Sequence, residues 1–328
     1  MDPKTKCVLV LTFLAVYSSY DLVSASRGDG SGFQKRCLSS CFALNCSTPD
    51  RIEVFHSNQP LFEHWLQWSC QDECRYTCMW ETVEAFHRLG EKTPQFHGKW
   101  PFKRIFGVQE PASAFFSVLN FLPHAILLRR FRRKINSSTR MYRVWCLYGI
   151  VSMNTWLWST VFHTRDFDWT EKMDYFCAFS IVTYSLMAFI LRLCGPNWNW
   201  TSNAACVACL AMFVNHIYRM AFVKFDYGYN MTLNVAVGAA NSLCWIAWII
   251  WHWNTKPHVK NALISVLLLN GTILLELLDF PPLLWSFDSH SLWHLSTAPI
   301  HWFWYKFITA DCLDLQADLQ AENKKKLV

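Results

Sequence analysis

Long apolar blocks separated by short polar segments occupy the last two thirds of this 328-residue chain. The blocks lie at about 111–128, 144–163, 174–194, 204–223, 231–253, 261–279 and 290–310. Each is close to the roughly 20 residues that an α-helix needs to cross a bilayer. The pattern predicts an all-α membrane protein, a seven-transmembrane helix bundle over residues 106–311.

The first 26 residues have the features of a cleavable signal peptide. Lys4 and Lys6 provide a positive start, an apolar run follows at 8–16, and residues 23–25 suit cleavage. An uncleaved membrane anchor is the alternative, but the apolar run is too short to span a bilayer. We therefore expect the polar region that follows, residues 27–105, to lie in the lumen of the secretory pathway.

This luminal region is rich in cysteine. Its six members are Cys37, Cys41, Cys46, Cys70, Cys74 and Cys78. An even, local set after a signal peptide predicts three disulfides, and 15 pairings are open. A zinc site is the alternative, but three or four residues separate neighbouring cysteines within each group, unlike the two-residue knuckles of zinc ribbons. Asn45 begins an Asn-Cys-Ser sequence, a candidate glycosylation acceptor.

The distribution of charge predicts how the bundle is oriented. The loop after the first block contains only basic charges, namely Arg129, Arg130, Arg132, Arg133, Lys134, Arg140 and Arg143. Because positive loops stay in the cytosol, this loop and the tail at 312–328 are expected there. Lys325 and Lys326 resemble a dilysine retrieval signal, and an ordinary charged end is the alternative. The spans and the signal peptide exclude a soluble protein that binds nucleic acid.

Five polar residues are predicted at one depth, just inside the luminal ends of three spans. Ser159 and His163 are four residues apart on one helix face, and His290 and His294 have the same spacing. Asp174 lies at the start of the third span. Ionisable residues inside spans are costly and therefore indicate function. A bundle that joins the second, third and seventh spans would gather all five into one pocket.

These five residues suit a catalytic zinc site. Three neutral imidazoles leave a fourth position for water, so His163, His290 and His294 are predicted to bind Zn²⁺. Zinc lowers the pKa of that water and polarises a substrate carbonyl. Asp174 would then transfer the proton, and the Ser159 hydroxyl would hold the water or stabilise a developing oxyanion.

Each residue alone also has a structural interpretation. Ser159 suits helix packing, and Asp174 suits the positive N-terminal end of a helix. The coincidence of all five at one depth favours function. Asp279 precedes two prolines and is interpreted as a residue that orders a loop. Three further histidines lie in the predicted spans: His124, His216 and His301. We interpret them as packing or hydrogen-bonding residues, and His216 is also a candidate hydrogen-bond partner of a metal ligand.

The chemistry-bearing residues resemble a known superfamily. Ser-x-x-x-His, an Asp eleven residues later and a distal His-x-x-x-His resemble the membrane hydrolases that include alkaline ceramidases and adiponectin receptors. The five residues match that pattern one by one: Ser159, His163, Asp174, His290 and His294. The segments 78–80, 94–102, 110–113, 158–166, 171–176, 225–230 and 274–282 resemble the post-GPI attachment to proteins factor 3 family.

The resemblance implies a specific activity. It implies seven helices, zinc held by the three histidines, and a GPI-specific phospholipase A2. Such an enzyme removes the unsaturated sn-2 acyl chain from the phosphatidylinositol of a GPI anchor. The implied substrates are GPI lipid and GPI-anchored proteins, among membrane lipids. The location that the resemblance implies is the Golgi membrane, and the dilysine-like tail adds an expectation of cycling through the endoplasmic reticulum.

The residues alone predict only a luminal, zinc-dependent membrane hydrolase. The ester, the sn-2 position and the GPI headgroup come from the resemblance. A ceramidase-like amidase would use the same site on another lipid, and a seven-span receptor or scaffold would share the topology without catalysis. The cysteine-rich region would cap the site or help to select the glycan. The sequence sets no oligomeric state.

Overall fold

The computed structural model describes residues 26–194, 198–276 and 278–326, so the predicted signal peptide lies outside it apart from Ser26. The helices are α1 (Arg27–Gly30), α2 (Gly32–Asn45), α3 (Pro49–Asn58), α4 (Leu61–Trp65), α5 (Cys70–Arg88), α6 (Pro111–Lys134), α7 (Arg140–Thr164), α8 (Asp168–Leu193), α9 (Trp200–Tyr218), α10 (Tyr227–His252), α11 (Val259–Glu276), α12 (Ser289–Thr297) and α13 (Ile300–Lys326). Within these ranges the protein contains helices, turns and isolated β-bridges, but no β-strand. The all-α prediction is confirmed.

Five helices are long and apolar enough to cross a membrane. They are α6, α8, α9 with its π-helical continuation Arg219–Val223, α10 and α11. Five of the seven predicted spans are therefore confirmed. Helix α7 has 25 residues but begins with a charged turn, and it packs between α6 and α8. Because neighbours cover it on two sides, α7 needs fewer apolar residues than a helix that faces lipid.

The block at 290–310, predicted as one span, is divided in the structure. Helix α12 ends at Thr297 and α13 begins at Ile300, with Pro299 between them. Proline has no backbone N–H and its ring clashes with the preceding turn, so the helix breaks there. Asn120 of α6 secures the break by donating to the His294 carbonyl at 2.7 Å. Helix α13 continues to Lys326, so the predicted boundary at 311/312 is not a helix end.

An aromatic core packs α10 against α13. Trp245 packs edge-on against Trp304 and Phe307, with ring centroids 5.1 and 5.3 Å apart. Arg192 of α8 makes two hydrogen bonds with the buried carboxylate of Asp311, at 2.7 and 2.8 Å. A buried ion pair of this geometry has both partners satisfied. The core and the ion pair together join α8, α10 and α13.

Three disulfides, as predicted, hold together residues 27–105, which keep the name luminal region from their expected location. They join Cys37 to Cys78, Cys41 to Cys74, and Cys46 to Cys70. Successive cysteines lie about one helical turn apart, both along α2 and its C-terminal end and along α5. Because the two helices run antiparallel, the three bonds form a ladder. Asn45 is exposed at the end of α2, and its glycosylation stays a prediction.

Arg165 and Asp279 each fasten the luminal region to the membrane helices. The buried ring of Trp68 lies between the guanidinium groups of Arg104 and Arg165, at 3.3 and 3.6 Å. Arg165, which follows α7, also donates to Asp72 at 2.8 Å. Elsewhere the Asp279 carboxylate accepts from the side chain of Trp100, which ties the loop after α11 to the luminal region. This contact agrees with the loop-ordering interpretation of Asp279.

Candidate metal centre

Three histidines from two distant parts of the chain converge in one site. His163 lies near the end of α7, and His290 and His294 lie one turn apart on α12. One ring nitrogen of each lies within 4.8 Å of the corresponding atoms of the other two. His163 and His294 are buried, and His290 is half-buried. The structure thus brings together the three histidines that the sequence marked as metal ligands.

The outer nitrogen of each histidine has its own hydrogen-bond partner. The Nδ1 partners are Glu110 Oε2 for His163 at 2.7 Å, Glu276 Oε2 for His290 at 2.8 Å, and Ser117 Oγ for His294 at 3.0 Å. A carboxylate can only accept, so Nδ1 of His163 and of His290 must carry the proton. Ser117 donates to the Ser113 carbonyl, which leaves its oxygen free to accept from His294. All three rings then direct an unprotonated Nε2 inward.

The inner nitrogens lack matching donors. Nε2 of His163 is buried and has no hydrogen-bond partner among the described residues. Nε2 of His290 lies 2.9 Å from Nε2 of His294, so two acceptors face each other. Without a metal this contact needs an extra proton on His290, balanced by Glu276. A cation bound at the centre satisfies all three Nε2 atoms at once, and three imidazoles are a typical donor set for zinc.

Ser159 and Asp174 lie beside the three histidines. The Ser159 hydroxyl is 3.1 Å from the Ser117 hydroxyl, which itself contacts His294. The Ser159 hydroxyl also lies next to the carboxylate of Asp174 on α8. That carboxylate interacts electrostatically with His163 and His290. All five residues predicted from the sequence therefore belong to one cluster.

Glu110 connects this cluster to the luminal region. Its backbone N–H donates to the His163 carbonyl at 2.9 Å, and its side chain faces Lys99 Nζ at 3.5 Å. Burial raises the pKa of Glu110, but Lys99 and His163 outweigh burial and hold that pKa well below its ordinary value. Burial lowers the pKa of Lys99, but Glu110 and Asp166 raise it to about 12. The pair is therefore ionised at neutral pH.

Sequence reasoning missed Glu110, Glu276 and Ser117. Glu276 lies in the apolar block at 261–279, and an acid inside a span is itself a sign of function. Glu110 directly precedes Pro111 and so marks only the start of a helix. Ser117 carries no signal, because a small hydroxyl in a span most often serves packing. Glu276 could therefore have been found from the sequence, and the other two could not.

The other span histidines have different surroundings. His216 is buried, and its ring contacts Phe179 and Tyr229 with centroids 4.2 and 5.5 Å away. The rings of His124 and His301 are in tilted contact, with centroids 4.1 Å apart, and His301 Nε2 lies 2.8 Å from Asn120 Oδ1. These contacts are those of packing and hydrogen-bonding residues.

Known proteins are similar in sequence to most of this chain. A family model described as the Per1-like family matches residues 60–312. A human protein, "GPI-specific phospholipase A2-like PGAP3", is 43% identical over 93% of this chain and 95% of its own length. The protein of the same name from Danio rerio is 44% identical over 89% and 92%. The Drosophila melanogaster "Post-GPI attachment to proteins factor 3" is 39% identical over 87% and 88%. No solved structure matches.

Proposed function

This chain belongs to the Per1-like family, and on that premise we propose that it hydrolyses the sn-2 acyl ester of GPI phosphatidylinositol with the help of zinc. The names of its relatives support a role in GPI-anchor remodelling. The observation that carries the hydrolase proposal is the set of three histidines whose Nδ1 atoms are all held by Glu110, Glu276 and Ser117. Such outer partners are a regular feature of protein metal sites.

The ligands would be the Nε2 atoms of His163, His290 and His294. When bound there, zinc supplies a Lewis acid that polarises an ester carbonyl and lowers the pKa of water. Glu110 and Glu276 hold the proton of their histidines on Nδ1 and so keep Nε2 available. The same hydrogen bonds fix the orientation of the rings, which a catalytic site needs before substrate arrives.

Asp174 is the proposed general base. Its carboxylate takes a proton from water as the water oxygen attacks the carbonyl carbon of the ester. It then returns the proton to the glycerol oxygen that leaves, so the products are a fatty acid and a lyso lipid. Ser159, which lies next to Asp174, orients that carboxylate and offers a hydroxyl to the developing oxyanion.

The surroundings of the site support a luminal substrate. His163 lies near the end of α7, next to the disulfide-bonded region that reaches it through Lys99 and Glu110. Disulfides form in the oxidising lumen, so this end of the bundle would face that compartment. An ester just below a luminal headgroup could then reach the histidines. We propose a multi-pass protein of the Golgi membrane that cycles through the endoplasmic reticulum, with a luminal N-terminus and a cytosolic C-terminus.

The test is acyl release by the purified full-length protein. The substrate is a defined diacyl GPI lipid with different acyl chains at sn-1 and sn-2, and mass spectrometry identifies the acid released. We expect only the sn-2 acid, and we expect His163→Ala to lower the rate at least 100-fold and to lower zinc content. His56→Ala is the matched control, because His56 is exposed in the luminal region.

Other outcomes separate the alternatives. Release of the sn-1 acid would overturn the positional assignment. Hydrolysis of ceramide in place of GPI lipid would favour the amidase. A folded protein that binds zinc but hydrolyses neither lipid would favour a receptor or scaffold.

A further inference from the structure

A groove runs between α6 and α7 at the end of the bundle opposite the histidines. Its volume is about 520 Å³. Apolar side chains of Ala125, Leu128 and Met153 line one part, and Arg129, Arg132 and Arg133 line the other together with Tyr142. The groove therefore joins an apolar channel to a cationic end.

The three arginines form one face of α6. Their positions follow the spacing i, i+3 and i+4, which places side chains together on a helix. All three are exposed, and no salt bridge to them occurs among the described residues. The Tyr142 side chain lies beside Arg132 at the rim of the groove. Unpaired guanidinium groups in a cluster bind phosphate oxygens through paired N–H donors.

The length of the groove matches one leaflet of a bilayer. Tyr142 and Met153 are separated by eleven residues of α7, which is roughly 16 Å at about 1.5 Å per residue. That is about half of the roughly 30 Å hydrocarbon core. The arginines lie at the end of the bundle that the positive-inside rule assigns to the cytosol.

We propose that this groove binds an anionic phospholipid of the cytosolic leaflet. The phosphate contacts Arg129, Arg132 and Arg133, and one acyl chain lies along Leu128 and Met153. Basic pockets between membrane helices on the cytosolic side bind such headgroups. This lipid is held at the opposite end of α7 from His163, so it is not the substrate of the proposed hydrolase. The proposal is independent of that function.

The experiment titrates the full-length protein in detergent with three probes. They are dioctanoyl phosphatidylserine, dioctanoyl phosphatidylcholine and inorganic phosphate, and native mass spectrometry measures bound lipid. We expect at least tenfold tighter binding of phosphatidylserine than of phosphatidylcholine. The triple variant R129Q/R132Q/R133Q should lower the affinity for phosphatidylserine to that for phosphatidylcholine.

A matched triple variant, R130Q/K134Q/R143Q, removes three charges from the same end of the bundle. The guanidinium of Arg130 lies over the Trp302 ring at 5.6 Å, and none of the three residues lines the groove. We expect its affinity for phosphatidylserine to stay within threefold of the parent protein. A second variant, Met153→Trp, fills the channel without changing charge and should also weaken lipid binding at least tenfold.

Three results would overturn the proposal. The first is equal affinity for the two lipids. The second is an equal loss in both triple variants, which would show diffuse attraction rather than a site. The third is competition by inorganic phosphate at the same concentration as phosphatidylserine, together with unchanged binding in Met153→Trp, which would show that the arginines bind free phosphate and the channel holds no acyl chain.

Discussion

Oε2 of Glu110 lies 2.7 Å from Nδ1 of His163, and this contact joins the histidine cluster to the luminal region. The same carboxylate faces Lys99, which also donates to Asp166 at 2.6 Å. A change in the turn that carries Lys99 would therefore move the carboxylate that orients His163. The cysteine-rich region, expected from the sequence to cap the site, contacts it through this chain of charges.

Glu276→Gln is expected to weaken zinc binding about 10- to 100-fold, the usual effect of losing an outer partner of a metal ligand. Glutamine can still accept from Nδ1 of His290, but it lacks the charge that strengthens the bond. Zinc content after titration with a chelator measures the change. Glu84→Gln, at an exposed position of α5, is the control. Unchanged zinc affinity in Glu276→Gln would argue against a metal at Nε2 of His290.

Asp174→Asn is expected to keep zinc but to lower acyl release at least 100-fold, because an amide cannot accept the proton of water. The measurement is kcat for release of the sn-2 acid, with zinc content determined on the same sample. Asp168→Asn removes a carboxylate from the exposed first turn of the same helix and should leave kcat unchanged. Equal activity of Asp174→Asn and the parent protein would remove Asp174 from the mechanism.

Ser159→Ala is expected to lower kcat about 10- to 100-fold at unchanged zinc content, since the hydroxyl beside Asp174 that is proposed to orient it is lost. Thr160→Ala is the neighbouring control, because the Thr160 hydroxyl bonds to the Trp156 carbonyl of its own helix at 2.8 Å. A large loss of zinc in Ser159→Ala would instead assign the hydroxyl to support of His294 through Ser117. A similar loss of kcat in both variants would indicate disturbed packing of α7.

The five clustered residues could be predicted because helical spacing and topology are both written in the sequence. Ser159 and His163 are four residues apart and so share a helix face, as do His290 and His294. Because successive spans cross the membrane in opposite directions, the end of one span and the start of the next lie at the same depth. The disulfide pairing could not be predicted, because it depends on how α2 and α5 are arranged in space. Ser117 and Glu110 were missed for the same reason. Their partners lie on other helices, with no fixed separation along the chain.

Some helix boundaries could also be predicted from the sequence, and others could not. The apolar blocks predicted the lipid-facing helices well, since hydropathy measures what lipid requires. Pro299 could have marked the break between α12 and α13, because a proline inside a predicted helix ends or kinks it. The extension of α13 to Lys326 could not be read from hydropathy, since its last turns are polar.

Asp72→Asn is expected to loosen the luminal region in a pH-dependent way. Burial raises the pKa of Asp72, but hydrogen bonds from Ser69 and the charges of Arg165 and Arg75 outweigh burial, so the pKa lies below its ordinary value of 3.8. A carboxylate whose pKa is lower in the folded state stabilises the fold above its unfolded pKa. That contribution disappears as the pH falls through the folded pKa.

The substitution should therefore lower the free energy of unfolding of the luminal region by about 1–2 kcal/mol at neutral pH, a range for a partly buried ion pair and weakened hydrogen bonds from Ser69 at the start of α5. The difference from the parent protein should shrink once the pH falls below about 4, because Asp72 then gains its own proton. Limited proteolysis of the full-length protein in denaturant, at a series of pH values, measures it. Glu53→Gln, exposed on α3, should show no such dependence. A penalty that stays constant down to pH 2 would mean that Asp72 acts through its shape, not through its charge on Arg165.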